Sequence, residues 1–350
     1  MRIGFQAGGI NERGMSVALH DYAGGTQAIL GHDVVVFYCP QKSHPQGVEK
    51  FKLSGLRLVP FDPDADLTAI SDPFDLDFCY FITSGEKTRT DIAASRIGVH
   101  AVFRQFQPHG DVYAYVSKWL SDWMTGGRAP FVPHIVDLPQ PVKTRRAEFG
   151  IPENAFVVGR YGGKDQFNIP FAQQAVAEAL DKRSNLHFLF VNTDRFIDHP
   201  RAVFLPAVIG PQDKADFIAT CDAGLNAKKI GESFGLANAE FLALGRPVFT
   251  WAGGMDQNHV CLSPDPDWLY KTRRDLVALL TGYEPSAADA DKAVSAMCAY
   301  RPEAVMAQFN EVFLSGNHRA DTLHLPPSFR AARFVQEKYL RVKFRLWKSL

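Results

Sequence analysis

Cysteine is scarce in this 350-residue chain: Cys39, Cys79, Cys221, Cys261 and Cys298 are odd in number and scattered, with no Cys-x-x-Cys pair. That pattern argues against a disulfide framework, offers zinc no ligand set and suits a reducing compartment. No apolar run is long enough to span a bilayer, and Met1 to Phe5 lead straight into a strand-like pattern without the apolar core of a signal peptide. The expected location is therefore the cytoplasm. Neither sign of charge dominates, with 38 Lys plus Arg against 38 Asp plus Glu. No global field favours nucleic acid, and an acidic ligand needs a local basic pocket. Internal repeats and low-complexity tracts are lacking too.

What is present is a soluble globular composition, 46% apolar and 22% charged, on a chain long enough for two domains of ordinary size. Residues 2–5 read as a first strand, followed by a glycine loop with Gly8, Gly9 and Arg13, then a helix from about Met15 to Ala23. Strand, glycine loop and helix is how α/β proteins bring backbone amides to a ligand at the carboxyl edge of a sheet. The loop is not Gly-x-Gly-x-x-Gly, and no acidic residue completes a dinucleotide unit; by itself it is also compatible with a plain tight turn. Near-continuous apolar runs at 33–38 and 78–82 predict buried parallel strands, and 97–103 and 112–117 two more. Three Asp-x-Asp pairs, at 62–64, 64–66 and 75–77, lie in a Pro-containing segment or at a strand start, so they read as solvated loop carboxylates and no metal is expected. The Pro-rich, charged segment after residue 139 suits a linker. The boundaries expected are 1–142, 143–318 and a basic tail at 319–350.

The second half restarts the α/β pattern, with a strand at 156–159, a helix from Ile169 to Asp181 and a strand at 186–191. Arg160 and Lys164 lie in the glycine-containing loop after the first of these. The segment around which the chain is organised is Gly231-Glu232-Ser233-Phe234-Gly235-Leu236, continued by good helix formers through Glu240 to Leu244 and stopped by Gly245 and Pro247. A helix start there exposes unpaired N–H groups and the positive end of the peptide dipoles, which suits a phosphate. A Gly-bounded helix carrying two glutamates also occurs in α/β proteins for structural reasons, and loop cations are often merely solvated.

Glu232 and Glu240, separated by seven residues and joined by Phe-Gly-Leu, resemble the donor-site motif of family 4-like retaining glycosyltransferases. The segment Val116-Ser117-Lys118-Trp119-Leu120 resembles a further step of that pattern, residues 131–139 resemble its exit strand from the first domain, and Gly159-Arg160 followed by Lys164 resembles its diphosphate clamp. Ser233 replaces the usual glycine, and the Arg-to-Lys spacing is short. The resemblance implies an α/β GT-B architecture: two Rossmann-like domains facing an inter-domain cleft, with the acceptor on the first and the nucleotide sugar on the second. It implies Glu240 on the ribose hydroxyls, Glu232 on the donor sugar, and Arg160, Lys164, Ser233 and the amides of Phe234, Gly235 and Leu236 about the diphosphate. Gly8 and Gly9 would face the cleft, and His100 or its rival His109 would be the active-site histidine. No cofactor is implied beyond a UDP- or GDP-sugar donor, and the acceptor would be a glycan or lipid-linked hydroxyl. The basic, aromatic segment 330–350 is compatible with an anionic membrane surface and with return onto the first domain. Two rival classes are an NAD-linked oxidoreductase built on the first glycine loop and a non-catalytic sugar-nucleotide or membrane-adaptor module.

Overall fold

A computed structural model describes residues 1–11, 14–207 and 210–346. Arg13 lies outside the described residues. The chain divides into two compact units, Met1–Ile135 with Tyr300–Lys343 and Val136–Ala299 with Phe344–Leu350. These units divide at 135/136 and 299/300, where the expected boundaries were 142/143 and 318/319. Residues 142 and 145 donate their backbone N–H groups to Asp216 and Thr220 of the second unit, which fixes the linker there. Residues 300–318 instead carry apolar side chains that complete the first unit's core.

In the first unit, β1 (Arg2–Ala7), β2 (Asp33–Tyr38), β3 (Arg57–Pro60), β4 (Phe78–Thr83), β5 (Ile97–Ala101) and β6 (Val112–Tyr115) form a parallel sheet in the order β3-β2-β1-β4-β5-β6. Strands such as β2 and β4 are apolar along most of their length because a parallel sheet is covered on both faces. Around it lie α1 (Gly14–Ala28), α2 (Pro45–Leu53), α3 (Leu67–Ser71) and α4 (Lys118–Thr125). The Asp-rich stretch has structural occupations: Asp66 caps α3 by accepting from Thr68 and Ala69, and Asp75 and Asp77 both bind Arg2.

The segment 131–139, expected as a strand, makes only a bridge through Phe131 to Tyr115. Pro130, Pro133 and Pro139 lack the N–H that a ladder needs.

The second unit repeats the architecture without repeating the sequence. Strands β7 (Phe156–Arg160), β8 (Leu186–Val191), β9 (Ala202–Leu205), β10 (Ala223–Asn226), β12 (Val248–Trp251) and β14 (Leu269–Tyr270) form a parallel sheet in the order β14-β12-β10-β7-β8-β9. A separate two-stranded piece pairs β11 (Gly231–Glu232) with β13 (Asp256–Gln257). The helices are α5 (Pro170–Lys182), α6 (Pro211–Thr220), α7 (Leu236–Ala243), α8 (Asn258–Leu262), α9 (Arg273–Gly282) and α10 (Ala287–Ala296). In each sheet the strand order reverses at one point, between β1 and β4 and between β7 and β10. Ligands of open α/β sheets bind outside the carboxyl ends of the strands at such a point.

The chain then returns to the first unit as α11 (Pro302–Phe309), a π turn at Asn310–Leu314 and α12 (Pro327–Leu346). Met306, Phe309 and Phe313 are fully buried there, against Phe5, Tyr22 and Tyr80 among others. Glycine eases the approach of α11 to α1: a Cβ on Gly25 would lie 2.7 Å from the Met306 sulfur, and that side chain would have to shift. α12 is held by Glu337, which accepts from Arg104 at 2.8 Å and Trp123 at 3.1 Å, and by Arg333, stacked 4.4 Å over the Trp123 ring. No helix among the described residues is long and apolar enough to cross a membrane.

Candidate functional site

The carboxyl edge of the second sheet collects the residues singled out in its sequence. Arg160 ends β7, at the reversal point, and is buried. Its guanidinium donates to the Asn192 carbonyl at 3.1 Å, Thr193 Oγ1 at 2.6 Å and the Gly163 carbonyl at 2.8 Å. Burial lowers its pKa to about 10, opposed by the negative charges of Glu232 and Asp165, so it is charged at neutral pH and coupled to Glu232.

Glu232 reaches the same edge through a backbone that only glycine allows. Gly231 has φ of +83°, and a Cβ there would stand 1.8 Å from the Asp256 carbonyl oxygen. The Glu232 carboxylate meets Lys228 Nζ at 2.7 Å. Burial nevertheless raises its pKa; Asp256 also raises it, while Lys228 and Arg160 oppose the shift. His259 holds the loop from behind. Its Nδ1 accepts the Glu232 backbone N–H at 3.2 Å, which leaves Nε2 to donate to the Trp251 carbonyl at 3.0 Å. This tautomer is neutral, as the buried ring's pKa of about 4 requires.

Beyond Glu232, Phe234 is buried and its carbonyl accepts from Asn258 at 2.7 Å. Gly235, at φ +101°, starts α7, and among the described residues no side chain caps this helix start. The first turn of α7 contains no acidic residue either. With Ser233 and Leu236 on either side of this turn, the helix start keeps backbone donors suited to an anion.

Glu240, on α7, is 5% exposed. One carboxylate oxygen accepts from Lys214 Nζ at 2.5 Å and the other from the Tyr161 hydroxyl. Tyr161 is itself stacked on Phe241 and edge-on to Phe217. A carboxylate has about four lone-pair positions, so two partners leave it capacity for ligand hydroxyls. Lys164 stands apart from this group: its side chain is 73% exposed and lies 3.5 Å from Asp194. Sequence reasoning marks Lys228, with Lys229, as a local concentration of positive charge before the motif, but does not single out Tyr161, Lys214 or His259. Tyr161 is a sequence neighbour of Arg160, but nothing in the local pattern marks Lys214 or His259.

In the first unit, Gly8 and Gly9 follow β1 at that sheet's reversal point. A Cβ on Gly9 would lie 2.4 Å from the Lys42 carbonyl oxygen, whereas Gly8 faces open space. Ser16 donates to the Gly9 carbonyl at 3.3 Å, tying the loop to α1. His100, on β5, has no exposed surface; its Nδ1 shares a 2.6 Å hydrogen bond with the Tyr80 hydroxyl, and burial lowers its pKa to about 4. His109 lies in the exposed loop after β5, near its Gln107 carbonyl and Thr88.

Burial also lowers the pKa of His134, to about 3. In an unfolded chain such groups titrate near 6.5, so each binds its proton first in the unfolded state as pH falls. The stability they contribute is present above pH 6.5 and is lost on descent toward the folded values. Urea midpoints should therefore fall steeply between pH 6.5 and pH 4, with each of His100 and His259 costing on the order of 3 kcal/mol by the lower limit. A flat profile over that window would show these rings to be hydrated.

No protein-family model matches the chain, and no curated protein sequence is significantly similar to it. Its fold is shared with solved structures. Anabaena HepE, solved in complex with UDP-glucose, aligns with a TM-score of 0.68 at 14% identity, over 89% of this chain and 98% of that one. A glycosyltransferase from Rickettsia africae aligns at 0.62 and 11% identity, over 89% and 97%. A putative UDP-N-acetylglucosamine 2-epimerase from Listeria monocytogenes aligns at 0.59 and 11% identity, over 87% and 94%. The architecture is GT-B.

Proposed function

We propose that this chain is a retaining, metal-independent glycosyltransferase that moves a sugar from a UDP- or GDP-sugar to a hydroxyl of a glycan or lipid-linked acceptor, working in the cytoplasm. The observation that carries the reading is a buried guanidinium, Arg160, at the reversal point of the second sheet and within electrostatic reach of Glu232, whose loop leads directly into the uncapped start of α7. Anabaena HepE, which shares the fold, was solved with UDP-glucose.

In this reading the bond between the anomeric carbon and the diphosphate oxygen breaks, and its electrons leave with the diphosphate. Arg160 and the amides of Phe234, Gly235 and Leu236 stabilise the charge that develops, in a site where fixed donors outperform water. The departing phosphate oxygen takes the acceptor's proton, and attack on the same face retains configuration. Glu240 holds the ribose hydroxyls and Glu232 a hydroxyl of the donor sugar, with Ser233 beside the diphosphate. Lys164, on its exposed loop, supplies a second cation to the diphosphate. Gly8 and Gly9 admit the acceptor, and the histidine beside it is His100 or His109.

Thermal shift and calorimetry with UDP, GDP and their sugars against NADH test the reading. A nucleoside diphosphate is expected to stabilise the protein, and incubation with the matching donor and acceptor to yield a retained glycoside. A response to NADH alone would establish the oxidoreductase class instead. Donor binding without transfer or hydrolysis would mark a binding module, and altered sugar stereochemistry without transfer an epimerase.

A further inference from the structure

We infer that the outward face of α12 docks on an anionic lipid surface. Phe329, Arg333, Glu337 and Leu340 recur every three or four residues and are the half-buried face of this helix. The other side leaves Val335, Tyr339 and Val342 64%, 64% and 55% exposed, with Phe334 65% exposed beside them. Single exposed apolar side chains are ordinary, but a stripe of them along one helix marks a contact surface.

Charge identifies the occupant. Arg330, Lys338, Arg341 and Lys343 are all exposed around the stripe. The only acid of the helix sequence, Glu337, is turned inward to Arg104 and Trp123, and of the exposed cations Arg341 alone reaches it, at 3.9 Å with its side chain still 67% exposed. The outward side thus combines apolar groups and cations with no acid among them. Acyl chains accept such a stripe while phosphate headgroups meet the cations, with the helix lying in the interface rather than crossing it. A second copy fits poorly, because a two-fold contact along this face sets its cations against their own counterparts.

The docking has a consequence for the acceptor, which rests on the glycosyltransferase reading. Arg104, which holds Glu337, belongs to the loop after β5, at the carboxyl edge of the sheet that also carries Gly8 and Gly9. Phe103 beside it is 50% exposed. Bringing this edge to a bilayer selects an acceptor that is itself lipid-linked.

Flotation of the full chain with vesicles of phosphatidylcholine, with and without phosphatidylglycerol, tests the inference. Binding is expected only to the anionic vesicles and should weaken with salt. Lys338→Gln, Arg341→Gln and Lys343→Gln together should reduce it roughly a hundredfold, at a fewfold per cation. Val335→Ser, Tyr339→Ser and Val342→Ser together should reduce it at least tenfold, with circular dichroism unchanged. Absence of flotation, binding undiminished in either triple variant, or a dimer in sedimentation that the serine variant dissolves would each overturn it. Nucleotide binding measured on the same samples separates the two readings: flotation without UDP or GDP binding removes the donor assignment and leaves the docking face standing.

Discussion

Replacing Glu240 by Gln should weaken the binding of UDP or GDP by roughly 10- to 100-fold in calorimetry, the scale of losing a charged hydrogen-bond acceptor. The same change breaks a buried pair with Lys214, which by itself costs on the order of 3 kcal/mol of stability. Affinity and stability must therefore be separated. Lys214→Met leaves the carboxylate without its cation and should destabilise the protein. The double variant Glu240→Gln with Lys214→Met removes both charges, so it should recover part of the stability without recovering affinity. Unchanged affinity in Glu240→Gln, with the protein folded, would remove this residue from the nucleotide site.

Arg160→Met should lower kcat/KM for sugar transfer by about 10²- to 10³-fold, the range expected when a preorganised donor to a developing anion is lost. The side chain also ties the ends of β7 and β8 through Asn192, Thr193 and Gly163, so melting must be followed in parallel. Arg160→Lys keeps a charge but not the planar fork, and it should recover only a minor part of the rate. A rate within threefold of wild type, measured on folded Arg160→Met, would place the diphosphate elsewhere.

Much of the architecture was legible because its determinants are local. Apolar runs at 33–38 and 78–82 can be stable only as strands covered on both faces, and they became β2 and β4. The proposed helix from Ile169 to Asp181 is α5, displaced by one residue at each end. The segment 131–139 misled because its apolar content signals a strand while its prolines deny it a ladder. The compact units divide at 299/300 rather than at 318 for a different reason. The need for residues 300–318 to bury Met306, Phe309 and Phe313 is visible only once the core they complete is known.

The candidate site divides along the same line. The glycine-bounded turn, the helix start and its stop are written in adjacent residues, while the two glutamates and Arg160 stand out by their resemblance to a glycosyltransferase donor-site motif. Lys164 had the same kind of local support, yet the fold leaves it exposed beside Asp194. Spacing ranks the candidates of a loop without saying which way each side chain turns. Tyr161 is 79 positions from Glu240 and Lys214 is 26, so their meeting depends on the crossover connections of the second sheet rather than on any motif. His259 likewise reaches Glu232 across 27 positions.

By itself the sequence determined two α/β halves, an anion-suited helix start at Gly235 and a neutral chain with no field for nucleic acid. Periodicity, glycine and charge act over a few residues or over the whole composition. Only the tertiary structure decided which cation neutralises which carboxylate, which histidine stands behind the loop and which face of α12 is left open. Those outcomes are set by packing between residues far apart in the chain, where burial makes each pairing costly to omit.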